Sequence, residues 1–580
     1  MKILGINTYL HDTAAAVLED GRITWAVTEE RLSRLHKDRR FPHLAIEAAL
    51  RHAGVRLDQL DAIAFGWNRG GLTPAYTLRT VVDGRLPRSG QMVASALRSI
   101  VREVYEGNGS RELLRAFGNA ERVPVLHIDH HLAHAWSTYG LSGYDDALVV
   151  VLDGRGARDS TCLYHGRGDE LRLVKHIEYP NSLGVFYEAF TELLGFRRHS
   201  DEWKVMGLAA YGEPTVDLSE VIRVDDSGYQ VNAELLCGSY WNDLSRLTAR
   251  FGPRRDAEHI TDASRDLAAS VQRALEQAVF AVVREGIRLT GCRRVCLAGG
   301  VAMNSKANGR LLASGLVDDV FVQPAATDDG TAIGAAMAAQ ERLSGRAPRY
   351  PMTDVYLGPS YTDDEIAAEL PRYKLPMVRV PNIEEVAARL LADGNVLGWF
   401  QGRMEYGPRA LGNRSILADP RKIESRERVN ACVKFREAWR PFAPSCLIEV
   451  AGEYFEGCRE APYMILTYDV VPAKRSVIPA VTHADNTARV QTVRREANPR
   501  YWKLLKAFGG HTGVPVLLNT SFNLKGEPIV CTPRDAVRTF YSSGLDYLVI
   551  GDTLVGKGTI PLQGDAKVSA SAAKPALALT

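Results

Sequence analysis

The chain lacks most of the features that sort a sequence quickly. Its eight cysteines, at positions 162, 237, 292, 296, 432, 446, 458 and 531, are scattered and include no Cys-x-x-Cys pair. That argues against a disulfide framework or a zinc ribbon and fits a reducing compartment. Charge of one sign is also lacking: 71 Lys and Arg stand against 69 Asp and Glu, a formal net charge of +2. There is thus no bulk electrostatic case for nucleic acid or an anionic membrane. No run reaches the roughly 18 uncharged apolar residues of a membrane helix, and MKILGI at the start reads as a strand without a charged leader. A cytoplasmic, unexported protein is expected. Hydrophobic content of 46% and charged content of 24% are ordinary for globular proteins. Only the Ala-, Ser- and Pro-rich stretch 566–580 reads as a loose tail. At 580 residues the chain exceeds what one core usually serves, so at least two domains are expected.

What is present centres on the stretch from Val123 to Asp159. Val123 to Ile128 reads as a buried strand, Asp129 as an N-cap, and the following helix carries His130 and His134 one turn apart on one face. A turn is expected at Gly140 to Gly143, then a second apolar run, Ala147 to Leu152, ending at Asp153-Gly154-Arg155-Gly156. Two imidazoles and a carboxylate at a strand end form a ligand set that zinc, ferrous iron or manganese accepts while leaving positions open for substrate. The plainer alternative is a satisfied polar pair on a helix surface. His127 and His131 are also four apart, but His127 falls in the strand, so that pair cannot share a helical face.

Residues 1 to 31 read as strand, polar loop and hairpin, and ALVVVLD, GRGARD, STCLYHG and ELRLVKHIEY repeat that arrangement. Two such loops facing each other suit the phosphates of a nucleotide held between related half-domains. His11 and Asp12 lie in the first loop, and Lys37 and Arg39 in the basic run after it; a turn hydrogen bond and a solvated face are the plainer readings of each. Residues 69 to 121 read as a helical insertion with one apolar face, Met92, Leu97, Ile100 and Val101. Lys204 sits where a cation can reach a phosphate, although a surface lysine is the commoner case. Farther on, a strand runs into Gly299-Gly300 and a helix starting near Asn304, where backbone amides can approach an anionic ligand closely. Asp328 and Asp329 occupy the next strand-to-helix turn, a place from which a further metal-facing carboxylate is easily supplied.

A domain boundary is expected near Arg346 to Asp354, where two prolines break the helical pattern. Beyond it, QGRMEYGPRALGNRS places Arg409 and Arg414 in a Gly-rich turn suited to convergent anion binding. KFREAWRPFAPS adds Lys434, Arg436 and Arg440, HADNTARVQTV adds Arg489, and VLLNTSFNLKGEPIV adds Asn519 and Ser521. Each alone reads as a surface ion pair; together, set among apolar residues, they make a polyanion pocket.

In this order HHLAHA, LDGRG, LAGGVAMNSKAN and TDDGTAIGAA resemble the O-carbamoyltransferases that tailor nodulation factors and antibiotics, the NodU/CmcH type that includes the tobramycin enzyme. The resemblance covers nearly the whole chain. It implies an α/β protein with an N-terminal actin/hexokinase-like duplicated domain, similar to the universal tRNA threonylcarbamoyl-transfer protein, over residues 1–350. A C-terminal YrdC-like α/β domain that forms carbamoyl-adenylate would occupy 351–565. It further implies that His130, His134, Asp153 and Asp328 bind Fe2+ or another divalent transition metal, with Gly154, Gly156, Lys204, Gly299, Gly300 and Asn304 around the nucleotide. DEWKVMG departs from the family's usual glycine-containing version before Lys204. Carbamoyl phosphate and ATP with Mg2+ would be held by Arg409, Arg414, Lys434, Arg440, Arg489, Asn519 and Ser521, with Lys525 and His483 as neighbours. His11, Asp12 and Lys37 are candidates for handling charge or the acceptor proton. The expected partner is a small-molecule hydroxyl acceptor, with no nucleic acid or membrane, and a homodimer is open to the chain. Two rivals are a tRNA threonylcarbamoyl-transfer enzyme, which the balanced charge disfavours, and an actin-like ATP-dependent binding module, which leaves the arginine-rich half unexplained.

Overall fold

Apolar runs separated by Gly- and Asp-rich turns put a sheet at the start of the chain, and a second sheet of the same design follows it. A computed structural model describes residues 1–8, 11–67, 109–117, 123–240, 244–434, 437, 439–558 and 560. The 69–121 insertion, except a helix at Gly109–Phe117, and the 566–580 tail lie outside these residues, as does Arg436.

The first sheet contains β1 (Lys2–Asn7), β2 (Ala14–Glu19), β3 (Arg22–Thr28), β4 (Ala62–Phe65) and β5 (Val125–His127), in the order β3-β2-β1-β4-β5. The first three are antiparallel, and β4 and β5 run parallel to β1. After β6 (Asp146–Leu152), β7 (Asp159–Arg167) and β8 (Glu170–Glu178) come a small hairpin, β9 (Ile222–Asp225) and β10 (Gly228–Val231), then β11 (Arg294–Ala298) and β12 (Asp319–Val322). The second sheet runs β12-β11-β6-β7-β8, with the antiparallel and parallel pairings of the first. The duplication expected from the repeated strand-loop-hairpin pattern is therefore real, and the N-terminal half has the duplicated actin/hexokinase-like layout. Strand β6, DALVVVL, is buried from Ala147 onward, as a central strand covered on both faces must be.

Two helices lie against each other between the sheets. His130–Ser142 follows β5, and Gly330–Ser344 follows β12. The first runs through Gly140 and stops at Gly143, where φ is +74°, so the turn expected at Gly140 to Gly143 is only the end of the helix. The second reads GTAIGAAMAAQERLS and is buried through Ala339. Its small residues allow backbone-to-backbone approach: a Cβ on Gly334 would stand 1.7 Å from the Ala133 carbonyl oxygen, and one on Gly5 in β1 would stand 1.9 Å from that of Ala332.

The chain leaves this half through a strap rather than a free linker. Tyr350 and Met352 donate backbone N–H groups to Gly140 and Leu141 at 2.9 and 2.8 Å. The second half is built on an eight-stranded mixed sheet. Its strands are β13 (Met377–Arg379), β14 (Leu397–Phe400), β15 (Arg414–Ala418), β16 (Ala443–Leu447), β19 (Gln491–Val493), β20 (Val516–Ser521), β21 (Tyr547–Ile550) and β22 (Thr553–Gly556), while β17 (Thr467–Asp469) and β18 (Thr487–Arg489) pair separately. The halves share apolar contacts: Ala443, Tyr463, Met464 and Ile465 pack into the core over the outer face of the second sheet. Arg34 adds bonds to the Ile529 and Pro528 carbonyls at 2.6 and 2.8 Å. Among the described residues no helix is long and apolar enough to cross a membrane.

The crossing of the two central helices cannot yield, because its contacts are main chain. Gly334→Val should lower stability by about 3 kcal/mol, the upper range of overpacking costs, measured as a shift in urea unfolding. Gly510→Ala, in helix Pro499–Thr512 where an added Cβ meets nothing within 4 Å, should be neutral or stabilising.

Candidate active site

Asp129 begins the site by capping its helix, accepting the Leu132 N–H at 3.1 Å. This aims His130 and, one turn later, His134 along one helical face toward the loops after β6 and β12. Asp153 follows β6 and Asp328 precedes the second central helix, so the four residues come from one helix, the end of one strand and the loop before a second helix. His130 Nε2 lies 3.2 Å from Asp153 Oδ2 and 3.2 Å from His134 Nε2, while Asp328 Oδ1 is 3.6 and 3.7 Å from the two imidazoles. All four ligand atoms fall within 4.8 Å of one another, and all four residues are buried.

The local bonding favours a cation there. His130 donates Nδ1–H to the Gly66 carbonyl at 3.1 Å, which orients the ring and turns Nε2 toward the carboxylates, the usual arrangement behind a metal-bound histidine. Trp67 stacks on the ring with centroids 3.9 Å apart. Gly300 N–H donates to Asp153 Oδ1 at 3.2 Å, so this glycine amide holds a carboxylate in place. Burial opposes the charged form of Asp153, yet the His130 bond and the imidazole charges win and hold its pKa low. For His130 burial is likewise outweighed, by Asp153 and Asp328, and its pKa rises. Two nitrogens and two oxygens without sulfur fit a divalent transition ion.

Beside this quartet, Asp12 accepts from His11 Nδ1 at 3.0 Å and faces Lys37 Nζ at 3.2 Å. Asp12 takes a left-handed φ of +55°, and its carbonyl is held by Asn7 Nδ2 at 2.9 Å. Burial disfavours the charged imidazole of His11, but Asp12 outweighs it and pushes the pKa up to about 9. Asp329, the helix N-cap, moves the other way: burial, aided by Asp12, pushes its carboxyl up to about 7.

A single cavity of about 960 Å³ joins this region to the second half. On the N-terminal side it is lined by His11, Asp12, Lys37, Arg39, Asp153, Gly154, Lys204, Gly300, Asn304 and Asp328; on the other by Arg409, Lys434, Arg440, Arg489, Asn519, Ser521, His483 and Lys525. The two histidines of the quartet lie behind Asp153 and Asp328, fully buried. Lys434 is fixed by the Ser521 carbonyl at 2.5 Å and the Asn523 side-chain oxygen at 2.7 Å. Asn519 donates to Ala410 O, Ser445 Oγ and Gln491 Oε1. Arg409 has no hydrogen-bond or ion-pair partner among the described residues, and burial pushes its guanidinium down to about 10. A desolvated cation on a cavity wall without a counter-charge favours an anion beside it.

Three expected contacts do not reach this cavity. Arg414 begins β15 and is fully buried. Its guanidinium stacks 3.7 Å over Phe400 and donates to the carbonyls of Gln401, Asn413, Pro359 and Gly402. It ties backbone together and does not face an anion. Gly156 makes room for His131, whose Nδ1 would lie 2.4 Å from an added Cβ, and Gly299, at φ +91°, lets the loop pass the Leu152 backbone. Neither glycine lines the cavity. His127 lies in β5 bonded to the Trp67 carbonyl, away from the quartet.

Other lining groups were not legible in the sequence. Trp203 receives the Arg440 guanidinium 3.8 Å above its ring, and Lys306 crosses the cleft to Asp485 at 2.7 Å. His199, at φ +57°, pairs with buried Glu188 at 3.0 Å and sits against His11. Trp203 adjoins Lys204, but an Arg on the other half of the chain is no periodic neighbour of it.

The carbamoyltransferase N-terminus family model matches residues 2–337, and the carbamoyltransferase C-terminus model matches 388–557. Nodulation protein NolNO of Sinorhizobium fredii is 40% identical over 95% of this chain and 80% of its own length. Nodulation protein NolO of Bradyrhizobium diazoefficiens is 44% identical over 77% of this chain and 81% of its own. Nodulation protein U of the same organism is 29% identical over 91% of this chain and 93% of its own.

The contrast between two arginines is measurable. Arg414→Ala strands several buried carbonyls, each costing about 1–3 kcal/mol, and should lower the melting temperature sharply. Arg409→Met removes a half-buried guanidinium with no ion-pair partner among the described residues and should hold or raise it. Equal destabilisation by both would contradict this assignment.

Proposed function

The chain belongs to the carbamoyltransferase family and is a carbamoyltransferase, and we propose that it makes carbamoyl-adenylate from carbamoyl phosphate and ATP and passes the carbamoyl group to a hydroxyl of a small natural product or sugar. The observation that carries this reading is the single cavity with a group of cations at one end and the His130, His134, Asp153 and Asp328 quartet at the other. Carbamoyl phosphate and ATP bring many negative charges together, so the first half-reaction needs fixed positive ones. Arg409, Lys434, Arg440 and Arg489 supply them; Asn519 and Ser521 position the neighbouring groups. Carbamoyl phosphate would be hydrolysed to carbamate and phosphate. The carbamate oxygen then attacks the α-phosphorus of ATP, expelling pyrophosphate; bound Mg2+ would supply charge neutralisation for the ATP. The mixed anhydride crosses the shared cavity without release, where water would destroy it.

At the other end an Fe2+-type divalent ion held by His130, His134, Asp153 and Asp328 supplies Lewis-acid polarisation when bound. His11, whose pKa of about 9 makes it a cation at neutral pH, and Lys37 share one carboxylate, Asp12. They leave net positive charge beside the leaving AMP phosphate, a role in charge stabilisation rather than as a base. Gly154 and Gly300 keep the wall low beside Asp153, and Asn304 caps its helix by accepting the Ala307 N–H at 3.0 Å. The acceptor hydroxyl attacks the carbamoyl carbon, its proton leaves to solvent, and AMP departs. The nodulation proteins among the relatives support a small-molecule acceptor.

Two variants separate the half-reactions. His130→Ala should lose carbamoyl transfer while still releasing pyrophosphate from ATP and carbamoyl phosphate. Arg409→Ala should lose pyrophosphate release by about 10²–10³-fold and still transfer from supplied carbamoyl-adenylate. Loss of both activities together in His130→Ala would reject the division. Protein stripped of transition metal by a chelator, freed of the chelator and assayed with excess Mg2+ should reproduce the His130→Ala pattern.

A further inference from the structure

Far from the cleft, three donors of different chemistry converge at the opposite end of β6. Asp146 is the first residue of β6, His165 lies on β7, and Cys292 sits in the turn between helix Asp262–Thr290 and β11. Asp146 Oδ1 accepts from Cys292 Sγ at 2.8 Å and from His165 Nε2 at 2.8 Å, and Sγ lies 3.5 Å from Nε2. Among the described cysteines the others are buried, whereas Cys292 is half-buried.

We propose that Asp146, His165 and Cys292 form a second divalent-metal site, of the zinc class, distinct from the His130 quartet. The donor set is one sulfur, one imidazole nitrogen and one carboxylate oxygen, which selects zinc-like ions over magnesium or calcium. With zinc–sulfur and zinc–nitrogen bonds of about 2.3 and 2.05 Å, tetrahedral ligands stand about 3.5 Å apart. The Cys292 and His165 donors already have that separation. Asp146 is tighter by under 1 Å and is the one ligand with room to move, its side chain being 53% exposed against 18% for His165. Solvent reaches the site past it and supplies the fourth position. On binding, Cys292 gives its thiol proton to solvent and ligates as thiolate.

The ion would clamp the end of the 262–290 helix to the sheet. It sits seven strand residues from Asp153, roughly 23 Å away at about 3.3 Å per residue, so it takes no part in carbamoyl transfer. Its geometry holds whatever reaction the cleft performs.

Cobalt(II) tests the site, because only a sulfur ligand produces a strong thiolate-to-cobalt charge-transfer band and the quartet contains none. Full-length protein stripped by chelator and titrated with Co2+ should develop that band at one equivalent of sulfur-bound ion. Cys292→Ser should abolish it and leave carbamoyl transfer unchanged, while His130→Ala should keep it. Asp146→Asn and His165→Gln should each weaken Co2+ binding at the band at least tenfold with the thiol intact. Absence of the band in the wild-type protein, or its persistence in Cys292→Ser, would overturn the proposal.

Discussion

The close crossing of two helices, His130–Ser142 and Gly330–Ser344, is the constraint on which the site rests. Each brings part of the quartet: the first carries His130 and His134, and Asp328 stands two residues before the second. Gly334 lets the backbones meet at a distance any side chain would forbid. Because the interior is close-packed, an added methyl must move main chain, and the imidazoles and carboxylate would move with it. The duplication supplies the rest. Equivalent loops after β1 and β6 deliver Asp12 and Asp153 to the same region from the two sheets, at the carboxyl ends where such folds open crevices.

Charge organises the other end of the cavity. The chain is nearly neutral overall, with a formal net charge of +2, yet it places Arg409 on the wall with no partner among the described residues and pins Lys434 with carbonyl oxygens. Partly desolvated cations cost stability when the cavity holds only water, and they strengthen interactions with an anion that enters. Arg440 is held over Trp203, a residue of the first half, and Lys306 reaches Asp485 in the second. The arrangement of the cavity's cations therefore depends on docking between halves and not on the second half alone.

How much was legible follows from the range of the interactions involved. The His130 and His134 pair was readable because four residues make one helical turn, and Asp129 was readable as a cap because capping is a contact within one turn. The repeated strand-loop-hairpin showed in the alternation of apolar runs with turn residues, and the paired topologies bear that out. Arg409 and Arg414 looked alike in sequence, five residues apart in one Gly-rich stretch. One faces the cavity, and the other is the first residue of a strand whose carbonyl neighbours close around it.

Local spacing thus determined the helices, the strands, the duplicated plan and the metal-type donor pair, since each depends on neighbours within a turn or a hairpin. Which cations face the cavity, that Gly156 and Gly299 sit in close backbone or side-chain approaches, and that Asp146, His165 and Cys292 meet were settled by three-dimensional packing. These outcomes depend on residues tens to hundreds of positions apart being brought together by sheet order and helix crossing, and such a meeting leaves no periodic trace in the chain.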